Sequence, residues 1–168
     1  MAKDIKTYYE QSYIDNTIRL REVLQTLPAF AKDYFRAVEP TTSAKTRISY
    51  AYDIRVFFHF LIENNPLYRD YTTTQFTLQD LERVEPIDIE EYLEYLKVYK
   101  AADDQMITNG ERGLARKFSS LRSFYRYFYR HQMIEKNPTL FVDMPKLHDK
   151  AIIRLDIDEV ALLLDYVE

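Results

Sequence analysis

Along residues 108–138, TNGERGLARKFSSLRSFYRYFYRHQMIEKNP, apolar positions recur at the three- and four-residue spacing of a helix. At about 100° per residue, Leu114, Phe118, Leu121, Tyr125 and Phe128 fall on one stripe. Arg112, Arg116, Ser119, Ser123, Arg126 and Arg130 fall on roughly the opposite one. One face can bury itself. The other presents guanidinium forks and hydroxyls, groups that suit phosphate oxygens and base edges. This helix is predicted to follow a polar connection at 101–110 and to end near His131, with Asn137-Pro138 beyond it.

The rest of the chain reads in the same way. A first helix is predicted from about Asp15 to Glu39, bent or restarted at Pro28, with Ile18, Leu20, Val23, Leu24 and Leu27 as its apolar positions. A second starts with Thr41, Thr42 or Ser43 as N-cap and stops at Asn64-Asn65-Pro66. Its stripe of Ile54, Phe57, Phe58 and Leu61 is widened by Ile48, Val56 and Phe60, which makes it central. Residues 66–77 read as a loop, and Thr77-Leu78-Gln79-Asp80 as a short helix start. Residues 87–100 read as an amphipathic acidic helix with Ile89, Tyr92, Leu93 and Leu96 inward. Residues 138–150 hold two prolines and read as a linker or short turns. Ile157-Asp158-Glu159-Val160 opens a last helix with Leu163, Leu164 and Val167, still running at Glu168. A domain that stops inside an apolar helix is expected to be cut from something longer.

Composition narrows the picture. With 168 residues and 46% hydrophobic content, the chain can build one ordinary domain with a core. It has no run near the roughly 20 apolar residues of a membrane span. Its polar N-terminus lacks an apolar signal core. Cysteine is absent, which excludes disulfides and thiolate metal sites. These features predict a soluble, cytoplasmic protein. His59, His131 and His148 sit in no ligand spacing, so neither metal nor cofactor is expected, and nothing points to a small-molecule substrate. The two glycines, Gly110 and Gly113, argue against β-hairpins and nucleotide-binding Gly loops, so the expected fold is all-α.

The net charge of −4 does not suggest a nucleic-acid protein, but its distribution is more informative, because it makes the protein a dipole. Residues 80–104 carry nine acids against Arg83, Lys97 and Lys100. Residues 111–130 carry Glu111 alone against Arg112, Arg116, Lys117, Arg122, Arg126 and Arg130. Partners are set by such local fields.

Four pieces of the chain resemble, in order, the N-terminal part of the tyrosine recombinases, the phage-integrase family with its Xer-like members. Thr46-x-x-x-Tyr50-x-x-Asp53-Ile54-x-x-Phe57-x-x-Phe60-Leu61 resembles the family's T-x-x-x-Y-x-x-D-L-x-x-F-x-x-F-L helix. Arg116-x-Phe118-Ser119-x-Leu121-Arg122-x-Phe124-Tyr125-x-Tyr127 resembles its R-x-L-S-x-L-R-x-F-Y-x-Y helix. Asn137-Pro138 and Pro145-Lys146 resemble the pair that leads out of that domain. Leu155-x-x-x-Glu159-Val160-x-x-Leu163-Leu164 resembles the opening of the catalytic domain.

The resemblance implies a core-binding, SAM-like domain of four to five helices in an orthogonal bundle at 41–138. An N-terminal helical segment at 1–40 precedes it. A linker at 139–152 and the start of a truncated catalytic domain at 153–168 follow. It implies half of a clamp around duplex DNA, with other recombinase protomers, a tetramer on paired sites, as further partners. The parent enzyme would break and rejoin DNA strands. Its catalytic motifs would lie past this chain, and none of the 15 tyrosines is assignable as the nucleophile.

The DNA-facing helix starts map to Lys45, Thr46, Arg47 and Ser49, and to Arg112, Arg116, Lys117 and Ser119. Arg112 and Arg116 are i, i+4 neighbours, and either can fork onto a guanine's O6 and N7. Lys45, Lys117, Lys146 and Lys150 read as phosphate contacts that set affinity rather than sequence. Arg126 and Arg130 read as backbone contacts or surface, Tyr50 and Asp53 as packing and a structural hydrogen bond. Two other readings stay open at this point: a non-catalytic helical DNA-binding regulator, and a helical protein–protein adaptor that uses the acidic helix.

Overall fold

The structure, a computed structural model, describes residues 2–147. Six α-helices make up the described chain: α1 (Ala2–Leu24), α2 (Ala31–Val38), α3 (Ala44–Asn64), α4 (Leu78–Arg83), α5 (Pro86–Lys97) and α6 (Glu111–Arg130). Two short strands, β1 (Val98–Lys100) and β2 (Met106–Thr108), pair antiparallel between α5 and α6. The fold is all-α in class, as the composition indicated. The last predicted helix, from Ile157 onward, lies outside the described residues.

Local chemistry sets the helix ends. Of the three candidate caps for α3, Ser43 takes the position, its Oγ accepting from the Thr46 amide at 3.1 Å. Thr77 and Asp80 close a reciprocal capping box on α4. Such caps satisfy amides that have no partner inside the helix. At the end of α6, Gln132 adopts φ 58°, and the Met133 amide reaches back to the Phe128 carbonyl at 2.9 Å. This is a Schellman turn in which glutamine occupies a position that usually takes glycine.

Three elements differ from the sequence expectations. Helix α1 begins at Ala2 rather than near Asp15, while the break at residues 25–30 before α2 falls at Pro28, where a restart was expected. Ile18, read as an inward position, is about half exposed. The predicted helix at 87–100 ends at Lys97, and a hairpin replaces the polar connection. Scarcity of glycine did not prevent that hairpin. Asp104 supplies the left-handed residue at φ 65°, a conformation that aspartate tolerates better than most side chains. The turn closes through the Ala101 amide to the Gln105 carbonyl at 2.8 Å.

One core runs through the bundle. Helix α3 lies against α1 and α6, and α6 also meets α2 and α5. All five residues of the α6 apolar stripe are buried. Rings dominate the packing: Phe30 meets Phe128 edge-on at 5.3 Å, Tyr34 meets Phe124 at 5.3 Å, and Phe57 meets Tyr92 at 5.1 Å. Edge-on geometry is favoured by the ring quadrupole and adds to the area term. Leu20, Val23, Leu27, Tyr34 and Phe35, all from residues 1–40, belong to the same cluster as the α3 and α6 side chains. Buried hydroxyls find partners, as with Tyr125, which donates to the Leu81 carbonyl at 2.9 Å. The chain after α6 folds back into a 3-10 turn at Pro138–Phe141, where Pro138 and Thr139 are buried. Asn137 caps that turn by accepting from the Thr139 amide at 3.1 Å.

Candidate nucleic-acid interface

The site forms where the early turns of α3 and α6 meet. Ser49 and Asp53 come from α3, Arg116, Lys117 and Ser120 from α6. Asp53 is buried at 4% exposure, and its carboxylate is the hub. Its Oδ2 accepts from Arg116 Nη1 at 2.6 Å and from Ser120 Oγ at 2.9 Å. Lys117 Nζ lies 3.8 Å from Oδ1. A buried carboxylate is tolerable when it is paired and hydrogen-bonded, and both conditions hold here.

The two cations differ in access. The Arg116 side chain is 51% exposed, so one edge of its guanidinium is held by Asp53 while further donors face solvent. The Lys117 side chain is 11% exposed. Burial pushes its pKa down, Asp53 opposes that shift and neighbouring Arg116 adds to it. A cleft of about 210 Å³ opens here, lined by Ser49, Tyr52, Asp53, Tyr99, Arg116 and Lys117.

The other sequence-predicted residues fall into three groups. Lys45, Ser49, Arg112, Ser119 and Lys146 are exposed. Thr46 is partly buried, and its Oγ1 accepts from Ser43 Oγ at 3.0 Å. Arg47 is buried at 6% exposure, with Nη1 donating to the Thr42 and Glu39 carbonyls at 2.5 and 3.1 Å. Its guanidinium ties the α2–α3 connection together and is turned away from solvent. Lys150 lies outside the described residues. Ser120 and Tyr99 were not singled out from sequence. Ser120 is legible in retrospect, being four residues from Arg116 on the same side of the helix. Tyr99 arrives by way of the unforeseen hairpin.

Among the described residues no group of three or more His, Cys, Asp or Glu is placed to hold a metal ion. No helix among them is long and apolar enough to cross a membrane.

The described chain is an all-α bundle, and the match to a family model gives its class. The phage integrase N-terminal SAM-like domain matches residues 31–132, and the chain belongs to that family. The matched stretch runs from α2 through α6 and contains Asp53 and Arg116.

Its relatives include tyrosine recombinase XerC of Caldanaerobacter subterraneus subsp. tengcongensis, 33% identical over 140 residues, or 81% of this chain and 38% of that protein. XerC of Leptospira interrogans serogroup Icterohaemorrhagiae is 28% identical over 77% of this chain and 35% of its own length. XerD of Rickettsia prowazekii is 27% identical over 76% of this chain and 34% of its own. The chain thus spans little more than a third of the length of these relatives. No solved structure is a significant match.

Proposed function

We propose that this chain is the DNA-binding part of a site-specific tyrosine recombinase, holding duplex DNA for strand exchange performed by a separate catalytic domain. In this reading 41–138 is the core-binding domain, with 1–40 as its N-terminal segment. Residues 139–152 form the linker, and 153–168 open the catalytic domain. Other protomers of the recombinase are its partners on paired sites. The family membership supports the class.

The observation that carries the mechanism is the arginine held by a buried carboxylate at the mouth of a cleft between two helix starts. Arg116 is fixed on one edge by Asp53 and open on the other. An arginine pre-oriented in this way loses little side-chain entropy when it forks onto a base edge. Arg112, one turn earlier and exposed, reaches the same groove. Lys45 and Ser49 on α3, with Ser119 and Lys146, take phosphate oxygens. The free amides at the starts of α3 and α6 favour the same anions. Arg47 and Lys117 act behind this surface: Arg47 fastens the entry to α3, and Lys117 balances Asp53.

The test is a fluorescence titration of mixed-sequence duplex at several salt concentrations, then selection from a randomised duplex pool. The chain is expected to bind with a salt-dependent constant and to enrich a motif. Arg116→Ala should lower the discrimination at one base pair by about 1–3 kcal/mol. A wild-type chain that binds no duplex even at low salt would sink the reading.

A further inference from the structure

Arg19 lies in α1, ahead of the stretch that matches the family domain, yet it holds a wall of the cleft beside Arg116. Its Nε donates to the Tyr52 hydroxyl at 2.8 Å. Arg55 sits over the same ring at 5.0 Å to the centroid, and its own Nη1 donates to Thr26 Oγ1 at 3.3 Å. Tyr52 is thereby fixed in place. Tyr99, on the hairpin, is fixed as firmly. It stacks on Tyr95 at 5.1 Å with 22° between the rings, and Tyr95 donates to Glu63 Oε2 at 3.2 Å. Val56, one turn after Tyr52 on α3, completes an apolar wall.

That wall faces a cleft of about 210 Å³ at whose mouth Arg116 keeps one edge free. The polar floor of the cleft is already engaged. Asp53 accepts from Arg116 and Ser120 through Oδ2, and Lys117 faces its Oδ1. A carboxylate with two donors and a cation has little left to offer a cytosine amino group, and it repels a phosphate. What suits the cleft is an apolar group on a base edge, within one step of the guanine that takes Arg116. In the major groove that group is the C5-methyl of a pyrimidine, which thymine carries and cytosine lacks. Because Tyr52 and Tyr99 are held from behind, the wall needs no ordering when a methyl arrives.

We propose that the cleft is a methyl-reading subsite, which takes the C5-methyl of a thymine in the base pair next to the guanine that Arg116 forks onto. Tyr52, Val56 and Tyr99 touch the methyl and determine specificity. Arg19 is a positioning residue that acts through Tyr52. The proposal rests on the DNA-binding reading above. It adds a second base pair to what the domain reads, one whose recognition depends on a helix outside the family match.

The test uses the motif enriched from a randomised duplex pool, in which the position relaxed by Arg116→Ala marks the guanine. A thymine is expected beside it. Replacing that thymine by uracil removes one methyl and nothing else from the base edge. Burying one methyl is worth about fourfold in affinity, so the wild-type chain should favour the thymine duplex over the uracil duplex by that factor. A 5-methylcytosine pair at the position should be favoured over a cytosine pair to a similar extent. In Tyr52→Ala the thymine-to-uracil ratio should fall to about 1, since any general weakening cancels in the ratio. Arg19→Ala should bring the ratio part of the way down. Arg19→Lys should restore it, because an ammonium can also donate to the Tyr52 hydroxyl.

If the marked guanine has no thymine beside it, or if the wild-type chain binds thymine and uracil duplexes alike, the subsite is wrong while base reading by Arg116 stands. If Tyr52→Ala keeps the wild-type ratio, the methyl is read elsewhere and the cleft is excluded. If Arg19→Ala alone keeps it, α1 has no part in the reading. A cytosine pair bound as tightly as a 5-methylcytosine pair would assign the position to the Asp53 carboxylate and overturn the methyl. If Arg116→Ala relaxes no position, or the wild-type chain binds no duplex at all, the underlying reading fails and the subsite with it.

Discussion

At the start of α6, Arg116 and Lys117 share the carboxylate of Asp53, while toward its end Arg126 and Arg130 pair with no described acid. The residue types are nearly the same and the helix is continuous, yet the two ends hold their charges in opposite ways. Near the start, buried Asp53 and Ser120 fix where a guanidinium points. Toward the end, α2 and the returning chain cover the flanks of the helix. Tyr34 bonds Ser123 at 2.8 Å and leaves the arginines on an open rim. A tethered cation gives geometry, and untethered ones give salt-dependent attraction. The DNA-binding function proposed above has use for each arrangement.

The strongest way to break this contrast is to remove its hub. Asp53→Ala leaves Lys117 buried without its counter-charge and frees Arg116. Breaking a buried pair costs about 3–5 kcal/mol, and the half-exposure of Arg116 moves the expected loss to the lower end, about 3 kcal/mol. Urea denaturation measures it. The double variant Arg126→Gln/Arg130→Gln at the far end should change stability by less than about 0.5 kcal/mol, as surface substitutions usually do. Equal losses at both ends would mean that Asp53 organises nothing.

Proton linkage separates the two ends more gently. Lys117 has a pKa below the ordinary 10.5, so the unfolded chain keeps that proton longer. Stability therefore rises with pH through the lowered value toward 10.5. Beneath the later turns of α6 the sign reverses. Burial raises Tyr34 and Tyr125, and it pushes Tyr68 to about 12. The unfolded chain loses those protons first, near pH 10, so their stabilisation is complete below pH 10 and falls away above it. The urea midpoint is expected to fall steadily above pH 10, with the share of tyrosinate absorbance that belongs to Tyr34, Tyr68 and Tyr125 appearing only as the chain unfolds. Lys117→Met should flatten the rise on the neutral side and leave the alkaline fall in place. A midpoint that holds steady through pH 12 would remove the buried tyrosines from this account.

The contrast between faces of α6 was legible in the chain; the contrast between its ends was not. Leu114, Phe118, Leu121, Tyr125 and Phe128 are buried as their spacing required, because a 20-residue amphipathic helix has only one way to face a core. The pairing of Asp53 with Arg116 spans 63 positions, and no local rule connects them. Arg47 and Lys117 were grouped with outward cations because they sit near helix starts. Their periodicity carried the correction: Arg47 precedes Ala51 and Ile54 on a buried face, and Lys117 stands three residues after Leu114. The hairpin escaped because glycine was taken as its marker, whereas Asp104 adopts the left-handed turn position. The first half of α1 escaped because its apolar residues remain outside, with Tyr8, Tyr9 and Tyr13 all exposed.

The smallest predicted effect concerns how the start of α6 is joined to the hairpin. Gly113 lies in the first turn, where alanine is intrinsically better by about 1 kcal/mol in a helix. A Cβ at that position would stand 2.8 Å from Asn109 Oδ1 and 3.3 Å from Asn109 Cβ. Asn109 cannot swing aside freely, because its Nδ2 donates to the Leu96 carbonyl at 2.8 Å and ties the end of α5 to the start of α6. Displacing that bond costs about 1 kcal/mol, so Gly113→Ala should be close to neutral. In an Asn109→Ala background the tie is already gone, and the same substitution should stabilise by up to about 1 kcal/mol. The difference between the two backgrounds measures how firmly Asn109 seats the turn that carries Arg112 and Arg116. Equal stabilisation in both would mean that Asp53 alone positions the start of α6, and that the hairpin only connects it to α5.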